Sequence, residues 1–211
     1  MITLSNIEHN KNKYQSILNE LYKVHQNQSK EEIRSMYYSE LLQNINLFNL
    51  YQLYSDIHHI NYSDYLSFNG IDSSFISGDS KIVVEAKNRN EEKYGANFNY
   101  KETEVLERKK ALELYAYHLQ GCHTFYITFY NDYTILYDLH SWFNQFKNEE
   151  EVYKTCDKTY FRPATSHGFG TTNYVEVPCT FLLTKNALHI TLPTVYQLNY
   201  KIFKELNKIF S

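Results

Sequence analysis

Apolar positions recur at helical spacing through the first fifty residues and at strand spacing through the centre, and this change of period organises the chain. Ile7, Tyr14, Ile17, Leu18 and Leu21 line one face of a first helical segment, which the polar run 26–29 breaks. Ser29 suits an N-cap, with Glu31 and Glu32 where the positive helix end favours acids. A second helix carries Ile33, Met36, Tyr37, Leu41, Ile45 and Phe48. From about Ile57 the period shortens. Ile60, Tyr62, Tyr65, Leu66 and Phe68 predict a strand, Asn69-Gly70 a turn, and residues 72–77 a second strand. Gly78-Asp79-Ser80 predicts a tight turn into a third strand, 81–87. Residues 88–100 are polar around Gly95 and predict a loop. Thr103 then caps a helix striped by Val105, Leu112, Ala116 and Leu119 and stopped by Gly121. Two further strands, 124–129 and 133–139, flank Asn131-Asp132.

The remainder is less regular. Residues 141–154 predict a helix, and 162–172, with Pro163, Gly168 and Gly170, predict a loop. Residues 174–183 and 188–192 pattern as a hairpin, and Pro193 opens a final amphipathic helix through Leu198, Ile202, Leu206 and Ile209. With 211 residues, no internal repeat and no linker, the expectation is one domain of mixed α/β (α+β) class.

Composition adds limits. The hydrophobic share of 43% is enough for a sizeable core, and the net charge of −3 gives no global pull toward nucleic acid. Charge is uneven, however, because basic residues outnumber acidic ones between Lys81 and Lys110. Cys122, Cys156 and Cys179 are far apart and form no CxxC, which argues against a zinc ribbon and for free thiols in a reducing compartment. No apolar run is long enough to span a bilayer, and the first residues lack a basic and apolar leader pattern. A soluble, cytoplasmic protein without a membrane partner is therefore expected. Phosphate-loop, dinucleotide and nucleophile-elbow motifs do not occur, and the nine histidines show no ligand spacing.

The chemistry concentrates in Gly70-Ile71-Asp72 and in Ile82-Val83-Val84-Glu85-Ala86-Lys87. Glu85 and Lys87 are two apart, so on a strand they share a face, while Val84 and Ala86 take the other. Burying an acid and a base at the end of such a strand costs several kcal/mol per unpaired ion. The turn at Gly78 gives the hairpin nearly equal arms, so Asp72 and Glu85 can meet around a hard cation. The ordinary structural alternative is an ion pair between Glu85 and Lys87 on an edge strand. Asp79 is a rival to Asp72 but has the composition of a turn.

This pattern resembles the PD-(D/E)xK, or restriction-endonuclease-like, nucleases: an Asp, a short hairpin, then an acid-x-Lys on a strand. Ile71 stands where the motif has Pro. The resemblance implies an αβββαβ core over about residues 31–140, after an N-terminal helical segment and before a C-terminal elaboration from about 141 to 211. It implies a metal-dependent phosphodiesterase in which Asp72 and Glu85 bind Mg²⁺, or Mn²⁺, and Lys87 positions or helps deprotonate a water, or stabilises the transition state. DNA is the implied substrate. Asn88, Arg89, Arg108 and Lys109, with Lys93 and Lys101, are candidate phosphate contacts, each equally at home on a solvated surface. Ala111 stands where RecB-like relatives have Gln, and Tyr115 reads as core. Glu40 is a candidate further ligand, though a solvated role is the simpler one. The residues after about 140 would shape the substrate site or build a homodimer. The alternatives are an inactive nucleic-acid- or protein-binding module on the same fold, and an RNA endonuclease.

Overall fold

Ile82, Val83, Val84 and Ala86 are consecutive or nearly so, and a strand apolar on both faces must be covered on both faces. The computed structural model describes residues 4–62, 70–89, 103–130, 134–156, 158–165, 168–178, 196 and 198–211, with side chains for all of these except 103–105, 158–165 and 168–178. Three helices lead: α1 (Leu4–His9), α2 (Lys11–Val24) and α3 (Lys30–Tyr51). Ser29 caps α3 as expected, and reciprocally: its Oγ accepts from Glu32 N at 3.2 Å, and Glu32 Oε2 accepts from Ser29 N at 2.8 Å.

The central sheet contains β1 (Ile57–Tyr62), β2 (Ser73–Ser77), β3 (Ser80–Asn88), β5 (His123–Phe129) and β6 (Thr134–Asp138), in the order β1-β2-β3-β5-β6. All neighbours are antiparallel except β3 and β5. A parallel pair needs a crossover, which here holds β4 (Thr103–Glu107) and helix α4 (Arg108–Leu119). Ile82, Val84 and Ala86 pack with Leu47, Leu50 and Tyr51 of α3, while Val83 packs in a second core with Ala111, Leu114 and Tyr115 of α4. The protein is thus a mixed α+β fold with a mostly antiparallel five-stranded sheet between α3 and α4. The N-terminal half of α3 reaches past the sheet, where Ile33, Tyr37, Tyr38 and Leu41 join Ile7, Leu18 and Leu21.

Several expectations need correction. Thr103 does not cap a helix; residues 103–107 are strand β4, and α4 begins at Arg108. The expected loop at 162–172 falls in a hairpin of β7 (Lys158–Thr165) and β8 (Gly168–Pro178). These strands make a second sheet, β4-β8-β7. Pro163 is tolerated because the β7–β8 register breaks between Arg162 and Thr165. The helix expected over 141–154 is two, α5 (Leu139–Phe143) and α6 (Glu149–Thr155), each capped by its own side chain, Asp138 and Asn148. The last helix, α7 (Tyr200–Ile209), starts at the Asn199 cap rather than at Pro193. The expected turns at Asn69 and Asn131-Asp132, the loop from Asn90 onward and the hairpin beyond Pro178 lie outside the described residues, as do Lys93 and Lys101.

One buried amide ties α3 to the C-terminal segment. Asn46 is fully buried; its Nδ2 donates to Tyr196 O at 2.8 Å and its Oδ1 accepts from Tyr196 N at 2.9 Å. The side chain thus pairs with a peptide unit as a neighbouring strand would. Asn46→Ala is expected to lower stability by about 3 kcal/mol, since it strands two backbone groups. A denaturant titration checks this, and a loss under about 1 kcal/mol would show that the clamp is dispensable.

Candidate active site

The hairpin register decides which side chains meet. Gly78, at φ +56°, and Asp79 form a two-residue turn closed by Ser77 and Ser80, and the pairing runs back to Ser73 opposite Val84. One pair further, Asp72 lies across from Glu85. Residues opposite one another in an antiparallel pair project to the same face. This face lies toward α4, because Val83 of the same alternation packs there. Asp79 sits in the turn at the far end of the hairpin and takes no part.

Both acids are buried, Asp72 at 6% exposure and Glu85 at 2%. Past Val84, β3 has lost its β2 partner, and the Asp72 side chain takes over: Ala86 N donates to Asp72 Oδ2 at 2.6 Å. Burial pushes the Asp72 carboxyl up, and Lys87, Lys110, the Ala86 N–H and Glu85 reverse only part of this. Glu85 is pushed well up by burial first and Asp72 second.

Two ammonium groups answer this charge. Lys110, in the first turn of α4, reaches Glu85 Oε2 at 3.0 Å, donates to Gly70 O and lies 4.0 Å from Glu113 Oε2. Burial alone would pull Lys87 down, but Glu85, Asp72, Glu40 and Glu107 outweigh it and hold its pKa above the ordinary lysine value. This direction favours the ammonium form of Lys87, which suits stabilising negative charge. An edge-strand pair between Glu85 and Lys87 is not what forms. The strand is central, and the ion-pair partner of Glu85 is Lys110.

The remaining candidates scatter. Asn88 accepts from Asn46 Nδ2 at 3.2 Å and donates to Tyr196 O at 3.3 Å. Arg89 donates to Tyr126 Oη at 2.9 Å. Arg108 turns into the fold, donating to Cys156 O at 3.0 Å and lying 4.1 Å over the Tyr153 ring. It fastens α4 to α6 while staying partly exposed. Lys109 is exposed. Tyr115 is core, as read. Glu40 is not simply solvated: it is partly buried against the site, and its carboxyl is pushed up to about 7 by burial and then by Asp72, with Lys87 and Lys110 opposing. Sequence reasoning missed Lys110. Its signal was helical phase: it stands four residues before the buried Leu114 and three before Glu113.

Among the described residues no group of three or more His, Cys, Asp or Glu side chains is assembled to hold a metal. A Mg²⁺-type ion does not require one, since it binds through one or two carboxylates and keeps several waters. Two facing carboxylates, dry and mutually repelling, are the oxygen donors that such an ion takes, so Asp72 and Glu85 fit it. Comparison with family models, curated proteins and solved structures finds no match.

Raised carboxyl pKa values make a stability prediction. A group whose folded pKa lies above its unfolded one stabilises fully below the unfolded value and loses this as pH rises through the folded value. In chelator, stability should therefore fall as pH rises from the ordinary carboxylate range through about 7, with Glu40, Asp72 and Glu85 acting in the same direction. Glu40→Gln should flatten the part of this fall that runs from the ordinary carboxylate range up to about 7. Denaturant midpoints measured across that range in both proteins provide the check, and identical slopes would rule Glu40 out as a source.

Proposed function

We propose that this chain is a metal-dependent nuclease that hydrolyses phosphodiester bonds in DNA, on a restriction-endonuclease-like core running from α3 to β6. The observation that carries the reading is the register-enforced meeting of Asp72 and Glu85, with Lys87 two residues on along the same face. The order helix, three strands, helix, two strands supports it, with β4 as an insertion into the crossover. Asp72 and Glu85 would hold Mg²⁺ or Mn²⁺. The chemistry a bound ion supplies is a more acidic water and neutralisation of charge on the phosphate oxygens. The Ala86 N–H fixes the rotamer of Asp72. Lys87, kept protonated by the surrounding acids, donates to a phosphate oxygen or orients the attacking water. The exposed Lys109 lends positive charge where a phosphate backbone would pass. Buried free Cys122 and Cys156 fit an intracellular, reducing setting. No described helix is long and apolar enough to cross a membrane.

The test is cleavage of supercoiled DNA, single-stranded DNA and RNA in Mg²⁺, Mn²⁺ or chelator. Metal-dependent cleavage of DNA is expected, falling by about 10²-fold or more in Lys87→Ala, the size typical of losing one charge-stabilising donor. Unchanged activity in Lys87→Ala would place the chemistry elsewhere. Absence of cleavage together with tight, salt-sensitive DNA binding would mark a binding module, and preference for RNA would change the substrate class.

A further inference from the structure

Lys110 occupies a cation's position. Its Nζ is surrounded by Glu85 Oε2, the Gly70 carbonyl and, further off, Glu113 Oε2. Carboxylate and carbonyl oxygens are also what a hard divalent ion takes. Local helix energetics oppose this placement. Arg108, Lys109 and Lys110 fill the first turn of α4, which carries no acid, and the Glu107 side chain makes no capping hydrogen bond to that turn. Cations are disfavoured at that positive end. A side chain set against its own helix, yet engaged with the central acid of a site, marks a local rule broken for a gain elsewhere. The ammonium is also near an exit, since the Lys110 side chain retains 19% exposure, and a lysine stem can swing its head toward water.

We propose that Lys110 is a tethered counter-cation of Glu85 that a divalent ion must displace, so that it sets the metal concentration at which the site loads. The inference rests on the metal-binding reading of Asp72 and Glu85. Without metal, Lys110 offsets the charge of Glu85 and keeps the buried acids compatible with the fold. With a divalent ion held by Asp72 and Glu85, the Lys110 ammonium would give up its contact with Glu85 and stay on the rim, held by its stem. Lys110 is thus a positioning residue for the ion and not a ligand of it.

The experiment measures Mn²⁺ binding by calorimetry at fixed pH, with no nucleic acid present. Lys110→Met should bind Mn²⁺ about tenfold more tightly than wild type, as expected when one charge-assisted contact no longer competes. Its melting temperature should fall in chelator and rise further on adding Mn²⁺ than that of wild type. Lys110→Arg, which keeps the charge, should bind close to wild type. Equal or weaker binding by Lys110→Met, with binding abolished by Glu85→Gln, would overturn the counter-cation role and leave the metal site standing. Mn²⁺ binding by neither wild type nor Lys110→Met would instead remove the metal reading itself. A second measurement needs no variant. Acetylation of lysines in the wild-type protein, read by mass spectrometry, should label Lys110 several-fold faster with Mg²⁺ than with chelator, and an unchanged rate would refute displacement.

Discussion

Two carboxyl groups face each other across the β2–β3 pair beneath α4, and much of the molecule answers the cost of that arrangement. Like charges directly opposite in a sheet destabilise it, and burial raises the cost because water no longer screens them. The fold responds in three ways. Asp72 accepts the Ala86 N–H, which the strand would otherwise leave without a β2 partner. Lys110 reaches down from α4 to Glu85. Lys87 remains charged in the combined field of four acids. Even so, both carboxyl groups stay pushed up, so the compensation is incomplete. A domain with a few kcal/mol of net stability has no structural reason to keep such a site, and a hydrophobic pair would be cheaper. That residual cost supports the proposed reading of the pair as a cation site.

The hairpin was readable because every signal for it is local. Gly78 and Asp79 mark the turn, and its nearly equal arms bring Asp72 toward Glu85; the structure tightens the expected turn of Gly78 to Ser80 by one residue, since Ser80 already pairs with Ser77. The same locality made the Ser29 cap and the apolar stripe of α3 legible. What failed depended on partners far along the chain. Thr103 to Glu107 looked like a helix start, because Thr followed by acids is a good cap pattern. Its fate as a strand was decided by β8, about seventy residues later. The stretch around Pro163 and Gly170 read as loop on turn residues alone, while the aromatic and β-branched residues around them sufficed for a hairpin once a register break absorbed the proline.

Within the site the division is similar. Asp72, Glu85 and Lys87 sit on one hairpin and could be named from spacing. Lys110 and Glu40 come from helices on different elements, α4 and α3, and spacing carries no record of which helix turn will face the sheet. Helical phase gave a partial clue for Lys110, because Leu114 and Ala111 had to be buried, which turns the neighbouring positions toward the sheet edge. Arg108 shows the limit of reading charge as surface. Its guanidinium satisfies the Cys156 carbonyl and lies over the Tyr153 ring, so a basic residue in a basic stretch became a fastening between two helices.

The topology links these parts in a fixed order of dependence. The hairpin supplies the acids, but a hairpin alone leaves them in water, where their repulsion is small and their affinity for a cation weak. Pairing of β5 to β3 makes the strand central, and a parallel pair forces the crossover that delivers α4. Only then are the acids dry, and by the same step Lys110 arrives to offset them. The covering element and the compensating charge are one helix. Any change that loosens α4, including loss of the Arg108 fastening to α6, therefore rehydrates the carboxylates and withdraws their counter-ion together. Fold and site are coupled through the first turn of α4, so substitutions there should alter both the stability of the fold and the state of the two carboxylates, whereas substitutions in the core around Ile7, Leu18 and Leu21 should alter stability alone.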